Sequence, residues 1–219
     1  MAQAANPFFG PYKTPHQTVP FDKIKLSHYE PAFKKAIEEN QKEIDAIVNQ
    51  RSTPTFENTI EALDRSGRML NRVANVFFAV LSAEGNDEMM EISQRVQPML
   101  SKHSNNISLN EKLFERIKYV YDHRDQLDLT PEQQTLLKET YESFALSGAE
   151  LKGADREKYR ALSSELSQLT LNFGQNVLKD TNLFSMMLTE DELDGLPQSV
   201  RDAAAALAKS KGTERYMVN

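Results

Sequence analysis

The sequence predicts an all-α protein: an antiparallel, bundle-like array of helices with an extended proline- and aromatic-rich N-terminal arm. At most one or two short strands are expected near the C-terminus. Two observations predict this class. Apolar residues recur at intervals of three and four from Phe33 to Val177, which is the spacing of amphipathic helices. Short connections separate these segments, and short connections place successive helices antiparallel.

The arm is predicted from NPFFGPYKTPHQTVPF, residues 6–21, which holds four of the nine prolines. Proline lacks an N–H and pushes the preceding residue towards extended geometry, so this segment is not a helix. Its aromatic residues are unusual for a disordered tail. Three hypotheses remain open from these residues: a solvated tail, a ligand for a proline-binding domain, and an arm packed on its own protein. No Pro-x-x-Pro spacing supports the second.

The first three helices are predicted from capping residues and apolar spacing. Ser27 and Glu30 have the spacing of a capping box, which would open the first helix. Thr53-Pro54 would begin the second helix, since proline favours the first helical position, and Gly85 would end it. The third carries apolar residues from Met89 to Ile107, with a kink expected at Pro98.

The next three helices follow the same logic. Ser108 and Glu111 would open the fourth, and Thr130-Pro131 would open the fifth, which ends at Gly148. The sixth begins at about Asp155. It carries a long apolar stripe at helical spacing: Leu162, Leu166, Leu169, Phe173 and Val177.

The C-terminal part has a different character. Leu183–Leu188 is an apolar run that predicts either one strand or an extended connector, and Thr189-x-x-Glu192 would cap a short helical piece. An alanine-rich helix follows from about Pro197 to Lys211. Tyr216–Val218 resembles the start of a strand, for which no partner in the chain is expected. The sequence therefore suggests that the fold continues past these 219 residues.

Composition excludes several classes of function. The net charge of −6 argues against nucleic-acid binding, because such binding needs lysine and arginine to neutralise phosphates. Without cysteine, thiolate catalysis, disulfides and cysteine-ligated zinc are impossible. No apolar run approaches the roughly 20 residues of a membrane span. Ala2–Ala4 resemble the residues around a signal cleavage site, so cytoplasmic and periplasmic locations both stay open.

The chain contains no recognisable catalytic or metal-binding motif. Its glycines do not form a phosphate-binding loop. Its four histidines, His16, His28, His103 and His123, are too far apart for the His-Glu-x-x-His motif of zinc peptidases, and none follows a Glu by three residues. A serine–histidine–aspartate triad stays open, since its members need not be close in sequence. We therefore predict no catalytic residue and no metal ligand, and leave substrate-binding residues unknown.

Three weaker features each have a functional and a structural interpretation. The shared helical face of Arg65, Arg68 and Arg72 could clamp a carboxylate, but a solvated face balanced by acidic neighbours is more common. Asn71 and Asn75 could border a cleft, although polar groups satisfied within helix contacts are commoner. The acidic run 189–194 could hold a hard cation, but acids at a helix start are favoured by the helix dipole.

Seven stretches matter together, in chain order: NPFFGPYKTPHQTVPF, IKLSHYEPAFKKAI, PTFENTIEALDRSG, RVANVFF, SLNEKLFERIKYVY, ELSQLTLNFGQNVL and AAAALA. They resemble the N-terminal part of bacterial peptidyl-dipeptidases (dipeptidyl carboxypeptidases), in the thimet oligopeptidase family of zinc metallopeptidases. The resemblance implies a helical body beside a deep channel that admits short peptides. It also implies zinc held by a His-Glu-x-x-His motif, which this sequence lacks.

The resemblance implies that residues 1–26 form an arm packed on the body, with Phe8, Phe9 and Phe21 largely buried. Residues 27–219 would form the non-catalytic N-terminal domain of a larger hydrolase, one wall of its channel, with the catalytic domain and short peptides as partners. The alternative is a free-standing helical interaction module of the same ancestry. If the catalytic part is missing, we expect exposed apolar surface at Phe184–Leu188 and at Tyr216–Val218.

Overall fold

The structure is a computed structural model of the chain and describes residues 6–218. The start of the predicted arm, including Ala2–Ala4, and Asn219 lie outside the described residues. The predicted all-α class is confirmed, with elements at Leu26–Val48 (α1), Ala62–Asp64 (α2), Arg68–Glu84 (α3), Asp87–Ser108 (α4), Glu111–Asp122 (α5), Pro131–Leu146 (α6), Gly153–Leu183 (α7), Met186–Leu188 (β1), Gln198–Ser210 (α8) and Tyr216–Val218 (β2). A π-helix, Phe56–Glu61, leads directly into α2.

The chain divides into two compact units, Met1–Gln168 and Leu169–Asn219. In the first unit, α1 contributes to two apolar clusters. One contains Phe8, Tyr29, Ala32, Phe33, Ala36, Val73, Val76, Phe77, Met89, Ile92 and Val96. The other contains Ile44, Ile47, Phe56, Ile60, Leu113, Ile117, Val120 and Leu137. The helical spacing of apolar residues along α1 thus places its first half against α3 and α4, and its second half against α5.

Three predicted helix starts are wrong. Helix α1 begins at Leu26, and the N–H of Lys25 donates to His28 Nδ1 over 3.1 Å. Glu30, predicted to reach back to Ser27, instead bonds to Lys34 (2.7 Å) and Arg95 (3.0 Å), which draws its carboxylate away from the helix start.

The other two wrong starts have local causes. A capping box formed by Thr55 and Asn58, not Thr53-Pro54, opens the π-helix, with bonds of 3.2 and 2.9 Å. Ser108 is the last residue of α4, and Asn110 caps α5 by accepting from the Leu113 N–H over 3.0 Å. The predicted start at Thr130 is confirmed.

The second unit contains the end of α7, the strands β1 and β2, and α8. The strands pair antiparallel, with Met186 opposite Val218 and Leu188 opposite Tyr216. Leu193, Ala204 and Ala208 are its buried apolar residues. The prediction that the C-terminal strand lacks a partner is therefore wrong, because Leu183–Leu188 contains a strand of matching length.

Within residues 6–218, no helix is both long enough and apolar enough to span a membrane.

Candidate functional site

One ring of the arm is anchored in the body. Phe8 is fully buried, and its ring centroid lies 5.5 Å from that of Tyr29. Its carbonyl accepts a hydrogen bond of 2.7 Å from Arg72 Nη2, and the guanidinium of Arg72 lies 5.0 Å from the centre of the Tyr12 ring. Asn6 donates to the His28 carbonyl over 2.8 Å. These contacts attach the arm to α1 and α3.

The burial predicted for the other two rings is wrong. Phe9 is 43% exposed and Phe21 is 60% exposed. Pro7–Phe9 forms a tight 3-10 turn, in which neighbouring side chains diverge, so only Phe8 enters the core. Phe9 lies instead under the ammonium group of Lys35, 4.5 Å from its ring centre. Phe21 begins another short 3-10 turn on the surface.

The candidate carboxylate clamp of Arg65, Arg68 and Arg72 is not assembled, because Arg65 lies at the end of α2 and the other two lie on α3. Arg65 forms an ion pair with Glu61 on the surface, Arg68 is exposed, and Arg72 holds the arm. Two of the three guanidinium groups are therefore engaged with different partners.

Asn71 and Asn75 are exposed, so the expectation that helix contacts satisfy them is wrong. The buried side of α3 carries Val73, Val76 and Phe77 instead. The two amides consequently have no part in the packing of this helix.

The acidic run 189–194 is organised by its own backbone. The N–H and the hydroxyl of Thr189 both donate to Glu192 Oε2, over 2.8 and 3.0 Å. These bonds, the backbone bond first, hold the pKa of Glu192 below its usual value. The run leads into a short turn that buries Leu193. This arrangement matches the structural interpretation of the run as a capped helical start.

The described residues do not fit a zinc site. Within residues 6–218, no three histidine, aspartate or glutamate side chains come together as a possible metal-binding group. The absence of zinc from this chain remains a prediction that a metal analysis can test.

A polar network, which the sequence did not reveal, joins α1, α4 and the turn before α3; Asn40 and His103 are buried in it, whereas Glu43 is exposed. His103 Nε2 lies 2.8 Å from Asn40 Oδ1, and the Asn40 amide donates to Glu43 Oε2 over 3.2 Å. The same carboxylate oxygen accepts from the Gly67 N–H over 2.7 Å. Burial lowers the pKa of His103, which favours its neutral form. These bonds give the network a structural role.

The part of α7 that belongs to the first unit contacts that unit through polar residues. Within the first unit, Arg160, Ser163 and Ser167 bond to α4 over 3.0–3.1 Å, with Asn106, Asn105 and Ser101 as partners. Leu162 and Leu166 of the same helical segment are 54% and 65% exposed. This burial is the reverse of the usual pattern, in which the apolar stripe of a helix faces the core.

The second unit exposes a set of large apolar side chains, which we call the apolar set. Three continue the helical spacing along α7: Leu169 (56% exposed), Phe173 (72%) and Val177 (48%). The others are near or in β1: Leu183, Phe184, Met186 and Met187. The exposure predicted at Phe184–Leu188 is confirmed for Phe184 and both methionines, whereas Leu188 and Tyr216–Val218 are half-buried. Grouped apolar exposure of this kind is typical of an interaction surface.

Comparison with known proteins shows that nearly the whole chain is similar to several relatives. The chain is 35% identical to a dipeptidyl carboxypeptidase of Salmonella typhimurium over 212 residues, which is 96% of this chain and 31% of the relative. Identity is also 35% to a dipeptidyl carboxypeptidase of Escherichia coli, over 93% of the chain and 30% of the relative. Oligopeptidase A of Escherichia coli is 28% identical, over 95% of this chain and 31% of the relative. The chain thus spans about a third of the length of these relatives. No protein-family model matches the chain.

Proposed function

We propose that this chain, which resembles the N-terminal part of peptidyl-dipeptidases of the thimet oligopeptidase family, forms one wall of the substrate channel in such an enzyme. The observation that carries the proposal is the similarity to two dipeptidyl carboxypeptidases, which covers at least 93% of the chain and only about 31% of each relative. The parent enzyme would release dipeptides from the C-terminus of short peptides.

In this proposal the chain supplies shape and support, and the chemistry lies elsewhere in the enzyme. The sequence has no His-Glu-x-x-His motif, and the described residues bring no metal ligands together. The zinc and its general base would therefore belong to the part of the peptidase that matches the remaining two thirds of the relatives. The role of the wall is to exclude folded proteins and to orient extended peptides, which rigid helical packing suits.

Reconstitution tests this function. The 219-residue chain and the polypeptide encoded after Asn219 in the same reading frame are produced separately and mixed, and dipeptide release from an N-terminally blocked short peptide is measured. We expect chelator-sensitive activity from the mixture and none from the 219-residue chain alone. Full activity of the second polypeptide without this chain would refute the proposed wall. A reading frame that stops at Asn219 would favour the free-standing interaction module.

A further inference from the structure

We propose that the apolar set of the second unit, which includes Phe173, is the surface on which the catalytic part of the same peptidase docks. This inference rests on the proposed function and adds to it the residues that hold the two parts together. The apolar set comprises Leu169, Phe173, Val177, Leu183, Phe184, Met186 and Met187.

Leaving this surface in water is energetically unfavourable. Burial of a large apolar side chain is favourable in free energy, and helices normally bury their apolar stripe for that reason. Along the last part of α7, Leu169, Phe173 and Val177 are 48–72% exposed. The spacing of a core-facing stripe is thus present, but the second unit does not cover it.

The exposed residues are of the kinds found at protein interfaces. Phe173, at 72% exposure, is a large aromatic with aliphatic neighbours one turn away on each side, at Leu169 and Val177. Met186 and Met187 add flexible side chains that adapt to an opposing surface. Aromatic residues and methionine are enriched at protein interfaces relative to the rest of the surface.

The length of the relatives indicates which partner would cover this surface. The matched relatives are about three times as long as this chain, so a peptidase of this family contains further polypeptide of about twice its length. That polypeptide has to pack on this chain if the two are to form the walls of one channel. It is therefore the partner that best fits an apolar surface left uncovered here.

Charge gives the expected partner a further property. Glu190, Asp191, Glu192 and Asp194 are exposed directly after β1, and Asp194 lies 3.8 Å from the Arg201 guanidinium. An acidic border beside an apolar centre selects a partner with lysine or arginine at the corresponding border. We therefore expect the association to weaken as salt is added, because exposed charges are screened.

The test measures binding of the 219-residue chain to the polypeptide encoded after Asn219. The variant Phe173→Gln removes the phenylalanine ring from the apolar set and places a good helix former at that position. We expect it to weaken binding at least about 30-fold, the size of a hot-spot truncation. The matched control is Leu146→Gln, which removes another exposed apolar side chain (86% exposed) from the first unit and should change affinity less than about threefold. Circular dichroism checks that both variants keep the helical content of the parent.

The outcomes separate this inference from the proposed function. Binding that Phe173→Gln leaves unchanged overturns the docking surface but leaves the channel-wall proposal standing. No binding of the unmodified chain, or no continuing reading frame, refutes both. Concentration-dependent self-association abolished by Phe173→Gln, with no binding to the second polypeptide, would assign the surface to a second copy of this chain and refute the inference.

Discussion

Replacing Phe8 by alanine tests whether the N-terminal arm belongs to the core of the first unit. The ring is fully buried in an aromatic group that includes Tyr29 and Phe77, and Tyr29 lies 4.9 Å from Phe77 between ring centroids. The carbonyl of Phe8, which binds Arg72, is unchanged by the substitution. The experiment therefore removes ring packing and leaves the main polar attachment in place.

The expected magnitude follows from the buried area. An aromatic side chain buries about 150–250 Å², which at about 25 cal/mol per Å² gives roughly 4–6 kcal/mol. A compact unfolded chain already buries about 10–40% of that area, which lowers the estimate to roughly 2–5 kcal/mol. Truncation of core phenylalanines typically costs about 3–5 kcal/mol, which lies within this range.

The assay is urea unfolding followed by far-ultraviolet circular dichroism, with hydrogen exchange of the arm measured in parallel. Phe21→Ala is the matched control, because it removes the same ring from a 60% exposed site and should cost at most about 0.5 kcal/mol. The arm can open locally without global unfolding, so Phe8→Ala should also speed exchange of the arm amides. Equal losses from the two variants would refute the reasoning, since burial would then not determine the cost.

Three further predictions concern the first unit. Gly67→Ala should lower the free energy of unfolding by roughly 2 kcal/mol, because φ is +70° and a Cβ would lie 3.3 Å from the amide of Asn40. Gly153→Ala is the control: φ is +54° and the space around it is open, so only the roughly 1 kcal/mol of backbone strain should be lost. Equal losses from the two variants would contradict the crowding at Gly67. Arg116→Met should lower the free energy of unfolding in urea by roughly 2–3 kcal/mol, since the buried guanidinium donates to two loop carbonyls and one side-chain oxygen over 2.9–3.3 Å. An unchanged free energy of unfolding would show that these bonds add nothing to stability. Burial lowers the pKa of His103, so as pH falls this histidine is protonated in the unfolded chain before it is protonated in the folded one. The free energy of unfolding should therefore fall as pH drops below about 6.5, by at most about 1.4 kcal/mol per pH unit. In His103→Gln the contribution of this histidine to the pH dependence should be lost.

Most helix positions could be predicted from the sequence, but several helix starts could not. The helix predicted from Thr53-Pro54 to Gly85 is divided in the structure, because Gly67 has a left-handed conformation between α2 and α3. Periodic apolar residues identify a helix because burial of one face is its main source of stability. The start of a helix depends on single hydrogen bonds, for which nearby residues compete. Ser27 and Glu30 have the spacing of a capping box, yet Glu30 binds Lys34 and Arg95 instead. Arg95 is 65 residues away in sequence, so local spacing cannot reveal this competition.

The arm shows the same limit at the level of single rings. Its aromatic content predicted packing, and Phe8 is indeed fully buried. Which ring enters the core is decided by the turn at Pro7–Phe9 and by Arg72, which binds the Phe8 carbonyl from α3. The turn is local, since Asn6 Oδ1 accepts from the Phe8 N–H. The Arg72 contact leaves no local pattern in the sequence, because it comes from a helix more than sixty residues away.

The apolar stripe of helix α7 connects the sequence to the proposed function. Its leucine stripe has the spacing of a core-facing helix, and its serines have the spacing of a second face. Isolated from the rest of the fold, that pattern predicts leucines inward. In the first unit the serines bond to α4 while Leu162 and Leu166 are exposed, and Phe173 in the second unit is more exposed still. A serine contact stabilises by only about 1 kcal/mol per bond, far less than burial of the leucines would. The docking surface that we propose would explain why Leu169, Phe173 and Val177 are apolar, because another part of the same peptidase would cover them.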